Sequence, residues 1–426
     1  MGNKIFTFLI FVSIFFCSYT FFSHPFEAYF HYIIFLLLLP FFIVKYGLPI
    51  VTIQILTFPL LFGLIQVQLG NNTIELLMKI FLGVFISTSF YYYVMVSYDF
   101  DVEKLFVYYL KGAYFVTLIG YFQLFSYYVK FEPGYQLFGL FNKWSVVFDA
   151  EGLRMNSILP EASQMALIIS PAAFIAFHNL LLRKKLYYRN YESILIILAV
   201  VLTTSSLGLV GFFLILAYLT INYGKAVNLL VGLVALLLIG NIFYIYLPDF
   251  HSRFDSTWGL WVNHEFTLKN VNNSSFILFN HAHVAWENFK NNILFGTGLG
   301  SHSFAFDKYS YNLLTEDVVR TSKQANSLSM FNTADANSMF LRLLSETGLM
   351  GIGSMFYILF RFYVKRDYNY PENNYWLISN AILVLIILYL LRQGNYFING
   401  FPFFVWMYYY TYKANLKSRN VNSIPE

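Results

Sequence analysis

The sequence predicts an all-α integral membrane protein, a polytopic bundle of about twelve transmembrane helices with one large loop on its outer face. Three observations predict it. Of 426 residues, 58% are hydrophobic and 12% charged, about half the charged share usual in soluble domains. The mean hydropathy is +0.57, more apolar surface than one water-soluble core can hide. Apolar runs of near-spanning length recur along the chain, and about 20 apolar residues cross the hydrocarbon core as a helix.

The runs fall at 5–22, 28–44, 48–69, 74–96, 105–129, 162–182, 193–204, 207–221, 226–247, 338–364, 375–391 and 397–412. The first has no small-x-small cleavage site and reads as a retained helix. The pair flanking Thr204-Ser205-Ser206 is short. It reads as two half-length helices meeting at a polar turn, or as one long helix. Two polar stretches remain, at 130–160 and 248–337. The chain therefore divides into an N-terminal bundle (1–247), a large outer loop (248–337), and C-terminal helices with a tail (338–426).

Sidedness follows from Lys and Arg near the span ends. An inside N-terminus puts Lys45, Lys104, Lys111, the Arg183-Lys184-Lys185 cluster, Arg189, Lys225, Lys365, Arg366, Lys413, Lys417 and Arg419 in the cytoplasm. Both termini are then cytoplasmic. The net charge of +5 fits such loops, and with no basic arm or RNA-binding motif there is no reason to expect nucleic acid. The 49 Phe and 35 Tyr partly serve as interfacial belts. The single cysteine, Cys17, cannot form an internal disulfide or a Cys-rich metal site.

Charges at the membrane are costly and mark function by default. Arg154, Arg253, Arg342 and Arg392 fall on the outer half of this arrangement. A guanidinium fork suits phosphate oxygens; the competing reading is pairing with carboxylates or snorkelling to headgroups. Glu161 follows Pro160, which fits the first position of a helix. Its carboxylate then sits in the first turn, either favoured there by the helix dipole or acting as a general base or sugar-hydroxyl acceptor. Asp335 precedes Asn337-Ser338 and can cap the next helix. Arg342 and Glu346 share a face four residues apart, and Gly348 and Gly351 allow a neighbouring helix to approach.

Within the large loop, Phe279, Ala282, Trp286, Phe289 and Ile293 recur at helical spacing and predict an amphipathic helix. His283, Glu287 and Lys290 lie opposite, a solvated face or a ligand-binding one. The chain has no HExxH motif and no metal-spaced His/Cys cluster. Asp99-Phe100-Asp101 matches an Asp-x-Asp metal motif only superficially. Gly296-Thr-Gly298-Leu-Gly300 has the wrong spacing for a dinucleotide fingerprint and reads as a tight turn.

The ordered set of Arg154…Pro160-Glu161-Ala-Ser163, Leu202-Thr-Thr-Ser-Ser206-Leu-Gly208, Asn292-Ile-Leu-Phe-Gly296-Thr-Gly298-Leu-Gly300 and Asn337-Ser338…Glu346-Thr-Gly348-Leu-Met-Gly351 resembles the O-antigen polymerase and ligase superfamily of bacterial envelope enzymes. The resemblance implies a GT-C-like glycosyltransferase of the bacterial inner membrane. It would act at the periplasmic face on undecaprenyl-pyrophosphate-linked oligosaccharides, without nucleotide sugar, cofactor or metal, and with membrane lipid and a chain-length regulator as partners. Ligases of this group carry a His where this chain has Asn337, and the Pro-Glu-x-Ser form of the first motif is similar to polymerases. The implied roles are Glu161 as base or acceptor-positioning group and Arg154 and Arg342 as pyrophosphate clamps. Arg253, Arg392, Asn337, Ser163, His283, Asp335 and Glu346 are candidate substrate contacts. An O-antigen ligase transferring glycan to lipid A–core and a non-enzymatic flippase or transporter remain alternatives.

Overall fold

The computed structural model describes residues 3–22, 28–149, 152–223, 234, 237–238, 240–241, 244–246, 248–263, 273–310, 332–370 and 372–422. About three quarters of it is helix; the strands among the described residues form one two-stranded hairpin, β1 (Phe148–Asp149) and β2 (Gly152–Leu153).

The helices in order are α1 (Asn3–Phe15), α2 (Phe30–Tyr46), α3 (Ile50–Gln68), α4 (Ile74–Ser97), α5 (Val102–Tyr128), a one-turn α6 (Glu132–Tyr135), α7 (Ala162–Ile168), α8 (Ser170–Leu182), α9 (Asn190–Leu202) and α10 (Ser206–Tyr223). There follow α11 (Pro248–Trp258), α12 (Asn273–Asn291), α13 (His302–Tyr309), α14 (Met339–Arg361), α15 (Tyr375–Arg392) and α16 (Phe401–Asn422). Among the described residues six helices are long and apolar enough to cross a membrane: α3, α4, α5, α10, α14 and α15. A seventh span arises if α7 and α8, bent by 57°, count as one. The protein is thus a helical membrane protein.

Several expected spans are shorter than the apolar runs that announced them. The 5–22 run stops being helical at Phe15. Beyond it Thr20 bridges Tyr29 in antiparallel register, so the chain turns back before a full span is built. A 13-residue helix such as α1 or α9 is about 20 Å long, short of the roughly 30 Å hydrocarbon core. The polar turn at Thr203-Thr204-Ser205 does separate two helices, α9 and α10, with Thr204 in the left-handed region at φ 44°. The 226–247 run lies largely outside the described residues.

α15 is the axis of the bundle. Of its apolar window 78% is buried, against 22% for α3, whose Leu61 and Ile65 face outward. α8, α10 and α16 pack around α15, and α3 and α4 pair at one flank. The bend between α7 and α8 has a local cause. Pro171 sits in the first turn of α8, where its missing N–H costs nothing, and the Ser170 hydroxyl donates to the Leu167 carbonyl at 2.8 Å.

The connecting segments gather at two ends. At one, Asn72 Nδ2 reaches the Leu299 carbonyl (2.8 Å), Arg154 reaches the turn at 203–204, and Gly394 packs on Asp335. At the other, the Tyr93 hydroxyl meets the Gly47 carbonyl, Arg366 stacks on Tyr223, and Arg419 pairs with Asp367.

Candidate functional site

The first end carries the residues singled out from the sequence. Its floor is the loop 155–159, which runs through the protein interior with every side chain buried. Buried backbone needs partners, and Gln123 of α5 supplies them. Its Oε1 accepts from the backbone N–H groups of Asn156 (3.2 Å) and Ser157 (2.9 Å), and its Nε2 donates to Asn156 Oδ1 at 2.8 Å. Asn156 Nδ2 in turn ties the Leu159 carbonyl at 3.0 Å. This cross-linked loop delivers Arg154 at one edge and Glu161 at the other.

Arg154 follows the hairpin and lies over the α9–α10 turn. Its Nε donates to the Thr203 carbonyl and its Nη2 to the Thr204 carbonyl, both at 3.2 Å. Glu161 is not inside the first turn of α7, as expected, but is its N-cap residue, extended at φ −140° and ψ 152°. It does not cap with its own side chain. The exposed carboxylate instead accepts a hydrogen bond from the Ser163 hydroxyl at 3.0 Å. Leaving the cap unmade keeps the carboxylate outside the helix, available to a ligand. Arg392, the last residue of α15, lies within electrostatic range of it. Arg392 is held by Ser274 of α12, through Nη2 to Oγ (2.7 Å) and Nη1 to the carbonyl (3.2 Å).

Arg342 is placed differently from the expectation that it clamps a ligand. It is only 1% exposed. Its Nε pairs with Glu346 Oε1 at 2.9 Å, its Nη1 donates to the Gly394 carbonyl at 2.9 Å, and its guanidinium lies 4.3 Å from the centre of the Tyr396 ring. The Tyr396 hydroxyl closes the circuit on Glu346 Oε2 at 2.9 Å. A buried ion pair is stabilised by further partners for its remaining donors and acceptors. Here the 393–397 loop, which begins one residue after Arg392, supplies one to Arg342 Nη1 and one to Glu346 Oε2, while the buried Arg342 Nη2 has no hydrogen-bond partner among the described residues. Arg342 and Glu346 therefore fasten the segment next to Arg392.

The glycine motifs serve the same assembly. Gly348 interrupts α14 with φ 58° and ψ −149°, and a Cβ there would lie 2.6 Å from the Ile293 carbonyl oxygen. The freed backbone of α14 pairs with the Gly-rich turn instead: Gly298 N donates to the Glu346 carbonyl (2.8 Å) and Leu349 N to the Ile293 carbonyl (2.9 Å). On its other side that turn rests on α4, where a Cβ on Gly300 would meet the Leu76 carbonyl at 2.7 Å. Asp335 does not cap α14 either. Ser338 does, accepting from Leu341 N, while Asp335 Oδ1 accepts from Asn337 N at 3.0 Å in a local turn.

The amphipathic helix exists as α12, but its buried face is not the apolar stripe. Trp286 is 52% exposed, whereas Asn280, His281, Val284 and Asn288 are buried. His281 Nδ1 meets His302 Nε2 of α13 at 3.1 Å. Burial, with His281 and Arg342 nearby, holds the His302 imidazole well below its ordinary pKa, so it is neutral at physiological pH. Asn288 Nδ2 reaches Thr297 Oγ1, the Ser345 carbonyl and Ser345 Oγ within 3.0 Å. His283 sits half-buried on a different face from His281. The Arg253 side chain lies outside the described residues, although its backbone belongs to α11. Asp101 of the Asp-x-Asp pattern caps α5 through Lys104 N. Among the described residues no three His, Cys, Asp or Glu side chains are grouped to hold a metal ion.

Gln123, Asn156, His302 and Tyr396 were not singled out from the sequence. Gln123 had a signal, a polar residue deep in an apolar run; Asn280, Val284 and Asn288 show the i, i+4, i+8 spacing of a second stripe. Tyr396 had none among 35 tyrosines. No family model and no curated protein matches the sequence.

Proposed function

We propose that this chain is a polytopic glycosyltransferase of the bacterial inner membrane, with about twelve spans, a GT-C-like architecture and both termini in the cytoplasm. It polymerises oligosaccharide units carried on undecaprenyl pyrophosphate into O-antigen or capsule-like polysaccharide. The observation that carries this reading is the exposed Glu161 carboxylate, left uncapped beside the Ser163 hydroxyl at the end of the bundle that also carries Arg154.

In this mechanism a sugar hydroxyl of the incoming unit attacks the anomeric carbon of the growing chain. The new C–O bond forms as the bond to pyrophosphate breaks, and its electron pair leaves on the pyrophosphate oxygen. Glu161 accepts the hydroxyl proton, with Ser163 orienting its carboxylate. Arg392 and Arg154 offset the charge growing on the leaving group, an electrostatic contribution that is often the largest single one. Arg342 and Glu346 act as positioning residues through the 393–397 loop. A direct displacement inverts the anomeric configuration.

The test is gel analysis of surface glycans in cells carrying the wild-type chain, no chain, or Glu161→Gln. Loss of long chains with one-unit chains retained supports the proposal, and the variant should fall at least 100-fold in polymer yield, the lower range for a lost general base. Loss of both forms with accumulation of lipid-linked polymer would point to a ligase, and unchanged glycans in the variant would remove Glu161 from the site.

A further inference from the structure

The opposite end of the bundle holds a polar pocket that the proposed reaction does not use. It is about 350 Å³ and is lined by His178, Lys184, Lys185, Tyr223, Arg366 and Glu372 among others. Three cations face it against one carboxylate.

Arg366 is gripped by rings. Its guanidinium carbon lies 3.8 Å from the Tyr223 ring centre, 4.7 Å from that of Tyr368 and 5.7 Å from that of Trp376. Cation–π contact fixes a guanidinium without consuming its N–H donors. Hydrogen bonds fix the backbone beneath it, because Arg366 N donates to Asn222 Oδ1 at 3.0 Å and the Tyr368 hydroxyl to the Asn222 carbonyl at 2.7 Å. Among the described residues the guanidinium itself has neither a hydrogen-bond acceptor nor a carboxylate. The neighbouring Asp367 is engaged by Arg419 at 2.9 Å. Lys184 and Lys185, exposed on the link after α8, likewise form no ion pair among the described residues. Lys184 and Arg366 both act electrostatically on the buried His178 ring, whose Nε2 meets the Tyr223 hydroxyl at 2.8 Å.

We infer that this pocket binds a phosphate-bearing anion. A half-buried guanidinium held in place with its donors unspent is pre-organised for a bidentate oxyanion. Two ammonium groups add donors from other directions. A tetrahedral phosphate offers oxygens to all three, whereas a planar carboxylate offers two in one plane. The anion comes either from a phospholipid headgroup at the membrane surface, where basic residues favour anionic lipid, or from free phosphate in solution.

The experiment uses the full chain in neutral-detergent micelles and follows its unfolding midpoint by intrinsic fluorescence. It is titrated with short-chain phosphatidylglycerol, the matching phosphatidylcholine, and inorganic phosphate. The partner variant is Lys184→Gln with Lys185→Gln, both exposed and so tolerated by the fold. Each cation at a lipid surface contributes roughly fivefold in affinity, so the double variant should bind about 25-fold more weakly. Stabilisation by phosphatidylglycerol over phosphatidylcholine that the double variant loses assigns the anion to lipid. Stabilisation by inorganic phosphate that the double variant loses, with no preference between the lipids, assigns it to solution. If neither probe stabilises the wild type, or the double variant responds as the wild type does, the inference is overturned. Arg366→Lys provides a second reading: it keeps the charge but not the fork, and an unchanged response to both probes would likewise overturn the role given to Arg366.

Discussion

Two arginines, one at each end of the bundle, are held in opposite ways. At the Glu161 end, Arg342 is enclosed and committed to Glu346, the Gly394 carbonyl and the Tyr396 ring. At the other end, Arg366 is held by rings while its hydrogen-bonding edge stays unspent among the described residues. A cation paired to a buried carboxylate builds shape, and a half-buried one held through π faces with no carboxylate keeps its capacity for a ligand. The presence of an arginine at a membrane surface therefore does not by itself locate a binding site; what the rest of its guanidinium touches does.

Three measurements probe this contrast, each by thermal or denaturant unfolding in micelles. The largest effect is expected from Glu346→Ala. It leaves the Arg342 charge buried without its counterion and should cost about 3–5 kcal/mol. A cost below 1 kcal/mol would mean that Arg342 is not locked and that the two ends are more alike than their geometry indicates.

The next concerns pH. His302 has its pKa lowered by burial beside His281 and Arg342, from an ordinary value of 6.5. The unfolded chain then takes up a proton below pH 6.5 that the folded chain refuses. Stability is fully present above that value and falls as pH drops beneath it, by up to about 1.4 kcal/mol per pH unit. His302→Asn should flatten this slope. An unchanged slope would show that the acid sensitivity arises elsewhere.

The smallest effect belongs to Asp367→Ala at the other end. The Arg419–Asp367 pair is 41% and 24% exposed, and such pairs contribute about 0–1 kcal/mol. A cost near that of Glu346→Ala would erase the distinction between the ends.

The helical membrane character was legible because it rests on composition and on run length, properties that neighbours do not alter. Helix limits were less so: apolarity continues from Phe15 to Phe22, but the Thr20–Tyr29 bridge ends the helix. Within the candidate site, the buried 155–159 loop that sets Arg154 and Glu161 apart depends on Gln123, 33 residues before Asn156, a pairing that no run length announces. The interior face of α12 was hidden from the sequence. An apolar stripe predicts burial when polar groups seek water, yet here Asn288 and His281 find partners on α13, α14 and the Gly-rich turn. Those partners lie up to 57 residues away, beyond any helical periodicity.

The Gly-rich turn also sets a timetable. Asn72, buried at the α3–α4 turn, bonds to the carbonyl of Leu299, 227 residues further along the chain. At a synthesis rate of about 5–20 residues per second, that partner emerges roughly 10–45 seconds after Asn72 does. The α3–α4 hairpin is therefore synthesised before the acceptor of its Asn72 side-chain N–H exists, so the C-terminal third of the chain completes a contact that the early helices begin.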